Sequence, residues 1–355
     1  MSSSQKVLVG LSGGVDSAVA ALLLKQQGYE VVGVTLSLLT YTKEDGEGCC
    51  TFNDVLDATK VCDVLGIEHL VISRRKQFKE LVIDPFLEGH KHGVFHNPCV
   101  TCNTTVKLPT LVQIADHMGI PYVATGHYAR TDKATGLLCK ALDASKDQTY
   151  FLWELSTDLI KRCLFPLGDL HKTEVRAMAE AAGLVSVSQK KDSTNLCFLE
   201  GGTKQEFLEK NGIHPAKGQV LDKNNNVLGT HNGYSSYVTG QRAPVTSKDG
   251  KPRYVLKVLA DTNTLVVGSK EETTARTVRV SNPSWVAGSW FNTPVMVSTR
   301  YSHDPASSVE AVITEEETGW VVTATTSTFQ SPTTGQSLVV YKDNLLVGGG
   351  KISDR

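Results

Sequence analysis

The octapeptide GLSGGVDS, at residues 10–17, joins an apolar run at residues 7–9 to a helix-forming stretch at residues 18–25. This order predicts a buried strand, a glycine-rich turn and the start of a helix. Such a turn presents backbone N–H groups and the positive end of a helix dipole to an anion. We therefore expect an anion site at residues 10–17.

The side chains of the octapeptide suit a phosphate-binding loop. Gly13 and Gly14 allow a ligand to approach the backbone closely. Ser12 and Ser17 add hydroxyl donors, and the Asp16 carboxylate could hold a magnesium ion. The lysine of a Walker A loop is missing, which excludes that class of loop. The string SGGVDS resembles the pyrophosphate loop of the ATP pyrophosphatases, which adenylate a substrate and release pyrophosphate. The alternative is a solvated turn between strand and helix.

Composition limits the classes of protein. The 355 residues are 40% hydrophobic and 21% charged, with a formal net charge of −1. This length predicts two or three domains, and the balanced charge gives no overall attraction to nucleic acid or membranes. Residues 201–270 carry ten Lys or Arg against five Asp or Glu. This excess of positive charge is equally consistent with a polyanion-binding surface and with an ordinary solvent-exposed surface. We find no membrane span or targeting signal and expect a cytoplasmic protein.

The first 200 residues alternate β-branched runs with helical patterns, which predicts an α/β fold with a doubly wound, mainly parallel sheet. Predicted strands cover residues 6–11, 31–36, 68–72 and 121–125. Predicted helices cover residues 16–27, 53–66, 76–89, 104–118 and 172–182. The last helix carries Lys172, Glu174 and Arg176 on its polar side. Ligands bind such sheets outside the carboxyl ends of the strands, where the octapeptide lies.

After about residue 205, short runs separated by Gly, Asn, Ser and Thr predict two small β domains. The first has predicted strands at residues 218–221, 253–259 and 264–267 and a hairpin tip at residues 224–226. The second has predicted strands at residues 277–280, 295–299, 309–314, 319–325 and 337–341. We predict a catalytic domain at residues 1–205, a central β-rich domain at 206–272 and a β-barrel at 273–355.

Cys99 and Cys102 form a C-x-x-C pair in the segment NPCVTCN, residues 97–103. We expect this pair in a loop before a helix that begins near Thr104, where the helix dipole lowers the pKa of the Cys102 thiol. Cys197 follows 95 residues later, behind two lysines at residues 190 and 191 whose charge could also favour a thiolate.

Four roles remain open for these cysteines. They could complete a zinc site with a histidine, hold an iron–sulfur cluster on Cys99, Cys102 and Cys197, or be inert buried thiols. We favour the fourth role, a thiolate nucleophile that works with a second, sulfur-carrying cysteine.

Other residues have plainer interpretations. Solvated surface positions, rather than a metal site, explain the irregularly spaced His69, His90, His92 and His96. Small buried residues explain Cys49, Cys50, Cys62, Cys139 and Cys163. Packing in a small β core explains Trp285, Trp290 and Trp320 better than stacking on RNA bases.

The whole chain resembles the tRNA-uridine 2-sulfurtransferases, or tRNA-specific 2-thiouridylases. The resemblance follows GCC at 48–50, NPCVTCN at 97–103, TGHYAR at 125–130, KDQTYFL at 146–152, FPLG at 165–168, KDSTNLCF at 191–198, GTHNG at 229–233, TGQR at 239–242, RY at 300–301, TGQ at 334–336 and GGG at 348–350. Together and in this order these segments are specific. Two positions depart from the family pattern: Cys99 stands where some members have Asp, and Thr334 replaces a usual proline.

This resemblance implies a role for each of four groups of residues. Cys102 would be the nucleophile and Cys197 would carry a persulfide, with a redox disulfide between them during turnover. ATP would contact Gly10, Leu11, Ser12, Gly13, Gly14, Val15, Asp16, Ser17, Leu36 and Gly126. The target base would contact Asn97, Pro98, Cys99 and His127. The tRNA would contact Lys146, Asp147, Gln148, Arg300, Tyr301 and Gln336.

The implied reaction converts the wobble uridine of tRNA, position 34, to 2-thiouridine. ATP, with Mg²⁺, would adenylate the C2 oxygen, and sulfur from Cys197 would replace it. The implied partners are tRNAs for Lys, Glu and Gln and a cysteine desulfurase or sulfur-relay carrier, and we expect a monomer. The two cysteines must come within roughly 6 Å between Cα atoms in one state and separate in another, so we expect residues 190–200 to move.

Other functions remain open beside this one. A tRNA lysidine synthetase or an amidotransferase would share the loop, but it transfers nitrogen and has no need of the cysteine pair. Thiolation could instead depend on an iron–sulfur cluster. A tRNA-binding or redox-sensing protein with a degenerate site would form no AMP.

Overall fold

The computed structural model describes residues 5–39, 52–192, 195–199, 202–214, 216–247 and 250–353. A five-stranded parallel sheet forms the centre of the first part of the chain. Its strands, in order across the sheet, are Glu68–Ser73, Glu30–Ser37, Lys6–Gly10, Tyr122–Ala124 and Cys163–Leu164. The four predicted strands are confirmed to within one residue at each end. The octapeptide follows the central strand, where the strand order reverses and doubly wound sheets bind ligands.

Helices pack on both faces of this sheet. Their bounds are Val15–Gln26, Phe52–Leu65, Arg75–Phe78, Asp84–Lys91, Pro98–Thr101, Leu108–His117, Thr157–Arg162, Lys172–Ala181, Val185–Ser188 and Lys204–Lys210, with π-helical turns at Lys79–Ile83 and Cys102–Lys107. One face packs around Val7 and Val9, the other around Leu8. Alternate strand residues point to opposite faces, so the doubly wound fold is confirmed.

The helix that carries the C-x-x-C pair begins six residues earlier than predicted. Pro98–Thr101, Cys102–Lys107 and Leu108–His117 follow one another without a break. Asn97 caps the start, because its side chain accepts a hydrogen bond from the Cys99 N–H at 3.0 Å. Pro98 takes the first position, where no N–H donor is needed. The prediction that Cys102 precedes the helix is therefore wrong.

A second, five-stranded sheet occupies residues 218–268. Its strands, in order, are Arg242–Thr246, Pro252–Leu259, Thr264–Gly268, Gly218–Leu221 and Val227–His231. The pair formed by Thr264–Gly268 and Gly218–Leu221 is parallel, and the other pairs are antiparallel. The hairpin tip predicted at residues 224–226 is confirmed, and Asn225 there has φ +65°, a conformation that asparagine tolerates.

Six antiparallel strands then close into a barrel. In order they are Thr277–Trp285, Gly319–Ala324, Val309–Glu316, Val295–Ser298, Ser337–Lys342 and Leu345–Ile352, and the last pairs with the first. Gly350 is needed at this closure because a Cβ there would collide with Val280. Trp320 is buried in the barrel core, and its ring packs on Trp285 with centroids 4.1 Å apart. The packing role predicted for the tryptophans is confirmed.

Two short strands from the first part of the chain, Arg130–Thr131 and Leu138–Cys139, extend the barrel sheet beside Leu345–Ile352. The sequence predicts no strand here. Tyr150 also reaches the barrel, where its hydroxyl donates to the Ser337 carbonyl oxygen at 2.8 Å in a buried contact. The barrel and the parallel sheet therefore share one apolar core.

We expect Tyr150→Phe to lower the free energy of unfolding by about 1–2 kcal/mol, because the buried Ser337 carbonyl oxygen loses its donor. Chemical denaturation measures this change. Tyr122→Phe is the control, since the Tyr122 hydroxyl makes no hydrogen bond within the described part of the chain. Equal stability losses in the two variants would contradict the prediction.

Some of the remaining histidine and cysteine predictions are confirmed, and one is wrong. His90 is only 3% exposed, bonds the Phe86 carbonyl oxygen at 2.9 Å and has its pKa lowered to about 4 by burial, so its predicted surface position is wrong. His92 is exposed. Cys62 and Cys163 are buried as predicted, Cys139 is half-buried, and residues 48–50 lie outside the described residues.

Within the described residues, no helix combines the length and apolar character that a membrane span requires.

Candidate active site

The octapeptide folds into a tight loop between the strand Lys6–Gly10 and the helix Val15–Gln26. Ser17 Oγ donates to the Gly14 carbonyl oxygen and accepts from the Ser12 N–H, both at 3.1 Å. Gly13 has φ +71°, and a Cβ there would collide with the Asp54 backbone. Gly14 is the N-cap and has no side chain, so it leaves the first N–H groups of the helix available to a ligand. This geometry suits a polyphosphate.

The strands on either side of the loop carry the other two predicted ATP contacts. Leu36 lies near the carboxyl end of Glu30–Ser37, and Gly126 follows Tyr122–Ala124. A Cβ at Gly126 would lie 2.6 Å from the Ser17 nitrogen, so the chain touches the loop closely at this point. The residues predicted for ATP thus lie together at the carboxyl ends of three neighbouring strands.

Lys172 binds the loop carboxylate. Its Nζ donates to both Asp16 oxygens at 2.7 Å, and the Tyr128 hydroxyl donates to one of them at 2.9 Å. Lys172 is only 9% exposed, yet it lies on the polar side of its helix as predicted, because Arg176, one turn later, binds the same Asp192 carboxylate. Because both Asp16 oxygens accept from Lys172, a magnesium ion at Asp16 would require this lysine to move. Magnesium at Asp16 stays a prediction.

Residues 190–192 are attached to the same region by charge. Asp192 lies 2.9 Å from Lys146, 3.0 Å from Lys172 and 2.7 Å from Arg176. Burial alone would raise the pKa of Asp192, but hydrogen bonds from Lys146 and Lys172 outweigh it and lower that pKa to about 2. Lys190 Nζ binds the Gly13 carbonyl oxygen at 3.1 Å. Its charge is paired with Asp54 at 2.5 Å and Asp57 at 3.1 Å.

Cys102 and Cys197 border one apolar cluster. Cys102 lies within it, and Cys197, at the start of the 3₁₀ turn Cys197–Leu199, packs at its edge. Phe198 anchors this turn, with its ring centroid 5.1 Å from that of Phe86. Leu36, from the ATP side, packs against the same cluster. All six cysteines of the described residues are thiols.

Burial raises the pKa of the Cys102 thiol to about 11, although Lys107 acts in the opposite direction. The prediction that a helix dipole lowers this pKa is wrong, because Cys102 lies inside the helix and is only 4% exposed. The thiol is protonated at neutral pH in this conformation, and it needs a change of environment to become a nucleophile.

This burial predicts slow alkylation of Cys102 in the folded, ligand-free protein. At pH 8 its thiolate fraction is on the order of 0.001, against about a quarter for an unfolded cysteine. We expect iodoacetamide to label Cys102 at least about 100-fold more slowly before unfolding than after it, with a rate that rises about tenfold per pH unit up to pH 10. Peptide mass spectrometry measures both rates, and fast labelling at pH 7 would contradict the prediction.

The predicted target-base residues lie beside this helix start and the loop. Asn97 and Pro98 begin the helix, with the Asn97 side chain committed to the Cys99 N–H. His127 Nδ1 lies 2.8 Å from Thr125 Oγ1, and desolvation lowers the pKa of His127 to about 3. His127 is therefore neutral at physiological pH and can donate or accept a hydrogen bond.

The predicted tRNA residues fall into two groups. The first group lies where two loops meet, because His303 bonds the Ser145 carbonyl oxygen at 2.9 Å. Its members are Lys146, Asp147, Gln148, Arg300 and Tyr301. Gln336 is separate and donates to the Phe95 carbonyl oxygen at 2.5 Å.

Both oxygens of the Asp147 side chain are hydrogen-bonded within the protein. Its two oxygens accept from the Ala141 N–H at 2.9 Å and from Thr149 Oγ1 at 2.7 Å, and burial raises its pKa. Gln148 accepts from the Tyr128 N–H at 2.9 Å, while Arg300 is exposed. Asp147 and Gln148 thus support the loop that carries Lys146.

No metal ligand set is assembled among the described residues. They contain no group of three or more His, Cys, Asp or Glu side chains that could hold a metal ion. Cys99, Cys102 and Cys197 therefore form no cluster site in this conformation.

Comparison with known proteins identifies the family. Family models match residues 5–201 as a tRNA methyl transferase HUP domain, 205–269 as a tRNA methyl transferase PRC-barrel domain and 275–352 as an aminomethyltransferase beta-barrel domain. The tRNA-specific 2-thiouridylase MnmA of Clostridium beijerinckii is 38% identical over 98% of both chains. That of Desulfitobacterium hafniense is 37% identical over 99% of both. The chain belongs to the tRNA-specific 2-thiouridylase family.

A solved 4-thiouridine synthetase–RNA complex with bound ATP is also similar, with 19% identity, a TM-score of 0.36 and coverage of 58% of this chain and 49% of that one. This likeness is too distant to carry a conclusion.

The membership of the 2-thiouridylase family agrees with the resemblance drawn from the sequence. Cys99 and Thr334 are the two positions that depart from the family pattern. The Cys99 N–H donates to the Asn97 side chain, and the Thr334 carbonyl oxygen accepts from the Phe95 N–H at 3.0 Å. Thr334 thus keeps this turn joined to the segment that leads into the target-base residues.

Sequence reasoning missed the contact of Lys172 with the loop and the contact of Asp192 with Lys172. The available signal was charge: Lys172 opens a helix and Asp192 lies five residues before Cys197. Neither position indicates a partner in the octapeptide, because Lys172 and Asp16 are 156 residues apart.

Proposed function

We propose that this chain catalyses the ATP-dependent 2-thiolation of uridine 34 in tRNA. The observation that carries the proposal is the shared apolar cluster of Cys102, Cys197 and Leu36. Two thiols from distant segments pack here with Leu36, a residue of the strand next to the one that leads into the octapeptide, and this supports sulfur transfer beside a bound nucleotide. Family membership supports the same activity, since the relatives are named tRNA-specific 2-thiouridylases.

The first step is adenylation of the uracil. The C2 carbonyl oxygen attacks the α-phosphorus of ATP, and pyrophosphate leaves. The open N–H groups after Gly14 and the ammonium of Lys172 offer the donors that a triphosphate needs. Neutral His127 supplies a hydrogen bond beside the base.

The second step transfers sulfur from a persulfide on Cys197. In one route the Cys102 thiolate attacks the Cys197 sulfur, hydrosulfide leaves, and hydrosulfide displaces AMP at C2. In the other, the terminal persulfide sulfur displaces AMP, and Cys102 then attacks the Cys197 sulfur to release the thiocarbonyl. Both routes end in a Cys102–Cys197 disulfide, which a two-electron thiol reductant must reopen.

The partners follow from this chemistry. A cysteine desulfurase or a sulfur-relay carrier loads Cys197, and tRNAs for Lys, Glu and Gln are the acceptors that we propose. Lys146, Arg300 and Tyr301 form an outer contact for the tRNA, and Gln336 a second one. We propose that one copy of the chain suffices.

The direct test combines the purified protein, unmodified tRNA transcripts, ATP with Mg²⁺, cysteine and a cysteine desulfurase. We expect pyrophosphate and AMP to form together with 2-thiouridine, which nucleoside mass spectrometry identifies at position 34. In a parallel reaction with lysine or glutamine as the donor, incorporation of nitrogen instead of sulfur would indicate a lysidine synthetase or amidotransferase. Absence of AMP formation would contradict an adenylating enzyme altogether.

A further inference from the structure

We propose that Asp192 is a positioning residue that, through Lys172, holds residues 190–192 against the ATP loop until ATP binds. The inference rests on the proposed function and adds an order of events to it. Nucleotide would bind first, and the cysteine that carries sulfur would be released second.

The first attachment is a shared ammonium. Lys172 Nζ lies 2.7 Å from both oxygens of Asp16 in the loop and 3.0 Å from Asp192 Oδ1. Lys172 is largely buried, so solvent and salt screen these contacts weakly. Lys146 and Arg176 complete the surroundings of the Asp192 carboxylate. One ammonium thus connects the loop to a residue five positions before Cys197.

The second attachment comes from Lys190, two residues earlier. Its Nζ binds the Gly13 carbonyl oxygen at 3.1 Å, Asp54 at 2.5 Å and Asp57 at 3.1 Å. Lys190 thus contacts the loop backbone directly and pairs with two carboxylates of the helix Phe52–Leu65, while Asp192 reaches the loop through Lys172. The position of residues 190–192 therefore depends on side chains that contact the octapeptide.

ATP would compete for these same donors. A triphosphate at the loop brings several negative charges beside Lys172 and Lys190, and its oxygens accept charge-assisted hydrogen bonds as carboxylates do. If the Lys172 ammonium donates to both a phosphate oxygen and Asp192, each of these two hydrogen bonds weakens the other. Thermodynamic linkage then requires reciprocity: ATP loosens the segment, and loss of the Asp192 contact strengthens ATP binding.

The test uses the full-length protein and a non-hydrolysable α,β-methylene analogue of ATP. We expect the analogue to raise the rate of iodoacetamide labelling at Cys197 about tenfold. Asp192→Asn should label at this faster rate without nucleotide, and it should bind the analogue more tightly than the wild type does. A residue that only supports the fold would weaken nucleotide binding when it is removed.

Control variants isolate the contact. Asp158→Asn removes an exposed carboxylate 3.3 Å from Lys161 and should change neither measurement, whereas Asp192→Glu should restore slow labelling. If Asp192→Asn proves unfolded by thermal denaturation, Arg176→Met weakens the same contact and should label faster.

Two negative results have different meanings. Analogue binding that leaves Cys197 labelling unchanged or slower would overturn the role of Asp192. Complete failure of the wild type to bind the analogue would overturn the proposed function itself.

Discussion

Cys197→Ser is expected to abolish thiolation while tRNA-dependent release of pyrophosphate persists in the first turnover. A serine hydroxyl cannot carry a persulfide, so sulfur has no route to the activated uridine. Cys197 lies at the edge of the apolar cluster, and Phe198 rather than Cys197 anchors the turn. The loop and its donors should therefore keep their arrangement. Nucleoside mass spectrometry measures 2-thiouridine, and a pyrophosphate assay follows adenylation.

Cys102→Ser should give the same loss of thiolation with a different trapped state. Sulfur should accumulate on Cys197, as the free persulfide in the first route or as a disulfide adduct with C2 of the uridine in the second, because no second thiol can attack the Cys197 sulfur. Intact-protein mass spectrometry detects either species. Cys139→Ser is the matched control, since Cys139 is half-buried on the strand Leu138–Cys139, away from the cluster. Sulfur transfer that survives in either the Cys102 or the Cys197 variant would contradict the proposed mechanism.

Gly126→Ala is expected to remove ATP-dependent activity almost completely. The new Cβ would lie 2.6 Å from the Ser17 nitrogen and 2.7 Å from the Asp16 carbonyl carbon, both backbone atoms that cannot rotate away. The loop must shift, and displacement of catalytic groups by about 1 Å can cost on the order of 100-fold in rate. Isothermal titration with the methylene analogue of ATP measures the accompanying loss of affinity.

Gly28→Ala separates this effect from a general loss of stability. Gly28 has φ +88° with no atom within 4 Å of its ideal Cβ, so alanine there brings backbone strain without a collision. We expect a loss of about 1 kcal/mol in the free energy of unfolding and unchanged binding of the analogue. Equal affinities in the Gly126 and Gly28 variants would show that the loop tolerates the added methyl group.

The three inner strands of the parallel sheet could be predicted because they contain apolar runs buried on both faces. The octapeptide was equally informative, since strand, glycines and helix follow in order. Cys163–Leu164 has only two residues and carries no periodicity. Arg130–Thr131 pairs with Leu138–Cys139, which itself pairs with a strand more than 200 residues later, and local sequence does not specify such a partner.

The start of the helix at Pro98 was readable but was missed. Asn97 followed by Pro98 is a helix-initiating pair, although a C-x-x-C pattern is also common in loops. The wrong prediction of a lowered Cys102 pKa has the same origin, because Cys102 is desolvated inside the helix and its pKa is raised. Lys172 and His90 are a different case. Their burial depends on Asp16 and on aromatic neighbours brought together only by the fold.

The pairing of Leu138–Cys139 with Leu345–Ile352 has a consequence for synthesis on the ribosome. The catalytic half emerges first, yet the apolar surface around Tyr150 remains uncovered until the last strand has left the exit tunnel. Nascent chains of this protein should therefore bind chaperones until translation is nearly complete. A premature stop codon even a few residues before position 345 should yield an aggregation-prone product rather than a smaller working enzyme.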